Sequence, residues 1–109
     1  MNLDEFIRAT YKEIDFYVRP RIFCNDGFNF SVQGGVGSYS SPRKNSKDFT
    51  SMEIGFPSEV EELIMQFSED KEMPTETVYG WVDCDIIQNV IDKHGGIDEV
   101  ETFKNKISN

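Results

Sequence analysis

The chain has 109 residues, with 11 Lys and Arg against 20 Asp and Glu, for a formal charge of −9. That length suits one domain and leaves no room for a second core, and an aromatic content of 13% argues against disorder. No apolar run approaches the ~18 residues of a membrane helix, and the acidic opening MNLDEF is unlike a secretory signal. The expectation is a cytoplasmic protein with no membrane partner, and the acidity opposes direct binding of nucleic acid.

Asn2 and Glu5 have the spacing of a capping box, and Leu3, Phe6, Ile7, Tyr11 and Ile14 recur at helical intervals, which predicts a helix over 3–14. Pro20 interrupts, and a strand follows over Arg21 to Cys24. Asn25-Asp26-Gly27 carries turn chemistry, and Phe28, Phe30 and Val32 alternate with Asn29, Ser31 and Gln33 on the return strand. Residues 34–48 are rich in Gly and Ser without a period, and read as a long irregular connection. Thr50, Met52, Ile54 and Phe56 alternate as a third strand. Ser58 with Glu61 repeats the capping spacing, and Val60, Leu63, Ile64 and Phe67 predict a helix over 59–68. After a polar loop with Pro74, residues 77–82 read as a fourth strand with Tyr79 and Trp81 on one face and Val78, Gly80 and Val82 on the other. Asp83 is placed to cap a helix from Cys84 to His94, which Gly95 ends. Asp98 with Glu101, followed by Val100, Phe103 and Ile107, predicts a short last helix. The order α-β-β-β-α-β-α-α implies a single α+β domain with a mainly antiparallel four-stranded sheet.

The charge is uneven. Residues 1–57 carry seven basic and seven acidic side chains, whereas 58–109 carry four and thirteen. The density peaks where Glu59, Glu61, Glu62, Glu69, Asp70, Glu72 and Glu76 face only Lys71. Its plain reading is a solvated face; its functional reading is a surface that competes with nucleic acid for a basic groove. Tyr79 and Trp81, two apart on a strand, would form a binding hot spot if exposed. Gly34, Gly35 and Gly37, followed by Arg43 and Lys44, lack the Gly-Lys-Ser/Thr ending of a phosphate loop; a backbone concavity for an anion, with charge from Arg19, Arg21 or Arg43, is the alternative use.

Catalytic chemistry has no candidate residue. Cys24 and Cys84 read as buried free thiols, and with His94 they lack the spacing of a zinc site, so no metal and no cofactor is expected. His94, the one histidine, precedes Gly95-Gly96 and suits the carbonyl end of its helix.

The strings CNDGFNFSVQ (24–33), SPR (41–43), EIGFPSE (53–59), TVYGWV (77–82) and DKHGG (92–96) resemble a family of small bacteriophage and mobile-element accessory proteins, over about residues 19–97. Relatives often have Cys where this chain has Ser40, and Pro where it has Asp83. The resemblance implies a setting in a bacterial host in which small acidic proteins evade host defence, anti-CRISPR proteins among them. The function expected is therefore non-enzymatic: an inhibitor of a host defence nuclease, such as a Cas effector, acting through the acidic surface with Tyr79 and Trp81. The alternatives are a nucleotide-sequestering module built on the Gly-rich loop, and a homodimeric assembly protein joined through the Tyr79/Trp81 face. Monomer and homodimer both stay open.

Overall fold

The structure is a computed structural model that describes residues 1–107, with side chains as far as Lys104. Four antiparallel strands, β1 (Ile22–Phe23), β2 (Asn29–Gln33), β3 (Ser51–Gly55) and β4 (Val78–Asp83), follow one another as a meander in the order β1-β2-β3-β4. Helices α1 (Leu3–Ala9), α2 (Cys84–Lys93) and α3 (Glu99–Ile107) complete an α+β domain, with a 3₁₀ helix at Glu62–Phe67. α1 packs on α2, α2 on β4 and the 3₁₀ helix, and α3 on β1. One apolar core results. Phe28, Phe30 and Val32 meet Met52, Ile54, Tyr79 and Val82 across the sheet, with Phe6, Ile87 and Ile91 on the helices. Each such side chain, fully buried, contributes about 1.5–3 kcal/mol.

The hairpin follows its sequence signals. Gly27 takes φ +97 in the turn, and its N–H donates to the Cys24 carbonyl. The capping box of Asn2 and Glu5 forms in full, and α2 ends in a Schellman closure: the Gly96 N–H reaches the Ile91 carbonyl and the Gly95 N–H that of Asp92. Asp98 Oδ1 accepts the Glu101 N–H at 3.0 Å and starts α3 as expected. Val100 is exposed there, and the side chain of Ile107 lies outside the described residues.

Other expectations need correction. The first helix stops at Ala9, because the Thr10 hydroxyl turns back to the Phe6 carbonyl at 2.8 Å while accepting Arg19 Nε at 3.0 Å. Ile14, assigned to its apolar face, is exposed. Ser58 caps no helix; its hydroxyl accepts the Asn29 N–H, and Glu61 caps the 3₁₀ turn through the Leu63 N–H. Of Val60, Leu63, Ile64 and Phe67, only Ile64 is fully buried. Asp83 precedes α2 without a side-chain cap. Thr50 and Phe56 stay outside the core.

Residues 34–48 are built rather than slack. Arg19, 2% exposed, donates to the Gly34 carbonyl, the Tyr17 hydroxyl and Thr10, and lies over the rings of Tyr17 and Phe49. Buried Ser40 accepts the Gly35 N–H and donates to the Pro42 carbonyl, Asn45 bonds Tyr17 and the Lys12 carbonyl, and Ser41 bridges Ser51.

Both edges of the sheet are occupied. Ile97 bridges Cys24 beyond β1, with the Asp98 N–H on the Phe23 carbonyl. Ser68 bridges Tyr79 beside β4, with the Glu69 N–H on the Val78 carbonyl.

Candidate binding surface

β4 carries one residue too many for its partner. Met52 pairs with Val82 but Ile54 pairs with Tyr79, so two steps on β3 match three on β4. This bulge breaks the alternation that would place Tyr79 and Trp81 together. Tyr79 is fully buried, its hydroxyl donating to the Pro74 carbonyl at 2.6 Å, whereas Trp81 is 46% exposed. The paired-ring face expected from the sequence is therefore absent, and with it the geometric basis for dimerisation through that face.

Trp81 has another ring beside it. Its backbone sits at φ +50, and its N–H donates to the Tyr39 carbonyl at 3.0 Å. The Tyr39 ring stacks on the indole with centroids 4.9 Å apart and 27° between planes. The Arg43 guanidinium lies 5.3 Å from the Tyr39 centroid. Gly80 permits this approach: a Cβ there would stand 3.3 Å from Tyr39 Cβ and 3.6 Å from Glu69 Oε1. Glu53 Oε2 accepts the Tyr39 N–H at 3.0 Å. Tyr39 had no sequence signal, because its partner is forty-two positions away and the bulge that exposes Trp81 leaves no periodic trace.

Phe56 is the other non-glycine residue at positive φ among those described, at +48, and it is 51% exposed. The Arg21 guanidinium holds the Phe56 carbonyl and Asn29, and the Phe56 N–H donates to Thr77. Bulky residues in the left-handed region carry strain of order 1–3 kcal/mol, and such strain concentrates at functional positions. Here it turns two large aromatic rings outward.

The acidic segment is mostly solvent-facing. Glu59, Glu62, Glu69, Asp70, Glu72 and Glu76 are exposed, interspersed with exposed Val60, Leu63 and Met73. Glu61 is the correction: it is 1% exposed and belongs to an internal network. His94 Nε2 meets Glu61 Oε1 at 2.7 Å, its Nδ1 meets Asp26 Oδ2 at 2.6 Å, and Lys93 Nζ reaches Glu61 Oε2 at 3.0 Å. Phe28 stacks on the imidazole at 4.1 Å. Burial pulls the His94 pKa down, but Glu61 and Asp26 outweigh it, and the net shift is upward. Burial likewise opposes ionisation of Glu61, yet the Leu63 N–H, His94 and Lys93 hold it below its ordinary value. Asp26 is lowered first by the Phe28 N–H and then by His94. The two carboxylates grip opposite nitrogens of one ring, so they cannot converge on a metal ion. Two capping expectations, at Glu61 and at the His94 helix end, thus meet in one structural clasp.

The Gly-rich alternative finds its backbone already engaged. The Gly35 N–H is taken by Ser40, Gly34 faces Phe49, and Arg19 and Arg21 are bound internally. Gly37, Arg43 and Lys44 are exposed. Burial pushes the Cys24 thiol up to about 12 and that of partly buried Cys84 up to about 11, so neither is a ready nucleophile. No helix among the described residues is long and apolar enough to cross a membrane.

No family model, curated protein or solved structure matches the chain. Function is therefore read from the geometry, which defines an α+β domain displaying aromatic rings amid carboxylates.

Proposed function

We propose that this protein acts by binding another protein: a non-enzymatic inhibitor whose acidic face occupies a basic surface of its target. The observation that carries this reading is the display of Trp81 and Phe56, both large, exposed and held in left-handed backbone, with six exposed carboxylates between them in sequence. Aromatic rings supply contact area at little entropic cost, and the carboxylates steer a basic partner. The phage-protein resemblance supplies the target class, a host defence nuclease such as a Cas effector, whose nucleic-acid groove is the basic surface in view.

The test is inhibition of DNA cleavage by a panel of purified CRISPR effector complexes. The wild type is expected to inhibit at least one member, and the quadruple variant Glu59→Gln, Glu62→Gln, Glu72→Gln, Glu76→Gln to lose most of that inhibition with its fold intact. Glu61 is left unaltered because it is buried. No inhibition across the panel removes the nuclease target; equal inhibition by the variant removes the acidic surface.

A further inference from the structure

We propose that the Tyr39–Trp81 stack is a receptor for an arginine side chain presented by the protein partner, with Glu69 and Glu53 as its carboxylate wall. This rests on the reading above that the protein binds a basic partner, and it names the group recognised. The indole is set in place before any partner arrives, by the bulge, by the Tyr39 carbonyl on its backbone N–H and by the neighbouring ring. Little ordering cost then remains for binding.

The stack already accepts a guanidinium within the molecule, since Arg43 lies over Tyr39. Carboxylates lie along the backbone that carries the rings: Glu69 Oε1 would stand 3.6 Å from a Cβ on Gly80, the residue before Trp81, and Glu53 accepts the Tyr39 N–H. Asp83, two positions further along β4, is exposed. A carboxylate has about four acceptor sites, so the bond to Tyr39 leaves Glu53 with capacity to spare. A flat ring flanked by carboxylates matches a planar guanidinium, which stacks and donates in the same plane; a lysine ammonium is a hydrated point charge that does not stack. A nucleobase could also stack, but its phosphate would meet those carboxylates and the −9 charge of the chain.

Trp81 is the one tryptophan in the sequence, so intrinsic fluorescence reads this site directly. The full chain would be titrated with an unstructured Arg-Gly peptide, the matching Lys-Gly and Glu-Gly peptides, and a mononucleotide. A saturable change with the Arg-Gly peptide is expected, with severalfold weaker binding of the Lys-Gly peptide and no response to the other two. Glu69→Gln alters an exposed side chain and is expected to melt like the wild type; it should weaken the Arg-Gly peptide by about threefold to fivefold, and Tyr39→Leu should erase its advantage over lysine. Equal responses to the Arg-Gly and Lys-Gly peptides, a response to the nucleotide, or indifference to both variants would overturn the inference. Nuclease inhibition without arginine preference leaves the proposed function standing and removes the receptor; arginine preference without inhibition does the reverse.

Discussion

His94 is held between the carboxylates of Asp26 and Glu61, which favour its protonated form, and that preference is a matter of stability. Its folded pKa lies above the ordinary 6.5, so its contribution is complete below that value and fades as pH climbs through the raised folded value. Glu61 behaves oppositely: its folded pKa lies below the ordinary 4.5, so its contribution is complete above that value and is lost as pH falls through the lowered one. The clasp is therefore fully formed between 4.5 and 6.5. Urea midpoints measured against pH should be highest in that window and fall on the alkaline side. His94→Leu should cost roughly 3 kcal/mol at pH 6, the low end for a broken buried ion pair because Lys93 and the Leu63 N–H still serve Glu61. That variant should also lose the alkaline decline; a decline unchanged in His94→Leu would place its origin elsewhere.

At the scale of elements, the 34–48 segment depends on two glycines for different reasons. A Cβ on Gly34 would stand 2.7 Å from the Phe49 ring, so Gly34→Ala overpacks the site and should cost about 1–3 kcal/mol. Gly35 has open space but φ +132, so Gly35→Ala suffers backbone strain alone. Chemical denaturation should show both as lower midpoints with unchanged slope; an unchanged Gly34→Ala midpoint would mean that Phe49 yields freely. The turn and alternation of the 22–33 hairpin were legible because both are local, with Gly27 at the required φ and Phe28, Phe30 and Val32 two apart. The end of α1 was not, since it is set by Thr10 meeting Arg19, nine residues on. The candidate site was half legible. The exposed glutamates were readable as surface features, whereas the sequence leaves the exposure of Trp81 open; one inserted residue in β4 sent Tyr79 inward and Trp81 outward, and Tyr39 joined from a loop with no period.

For the whole molecule, the proposed function implies that charge governs how a basic partner arrives more than how long it stays. Association with a basic target should slow by about tenfold or more from low salt to physiological ionic strength, with the dissociation rate changing far less. Stopped-flow measurement of both rates checks this, and a salt-independent association rate would count against steering. The covered sheet edges add a constraint of a different kind. Among the described residues, Ile97 bridges Cys24 just beyond β1 and Ser68 bridges Tyr79 on β4, so each outer edge of the sheet already has a backbone partner at that point. On the proposed reading, recognition then falls mainly to side chains, which single substitutions can alter without rebuilding the scaffold that displays them.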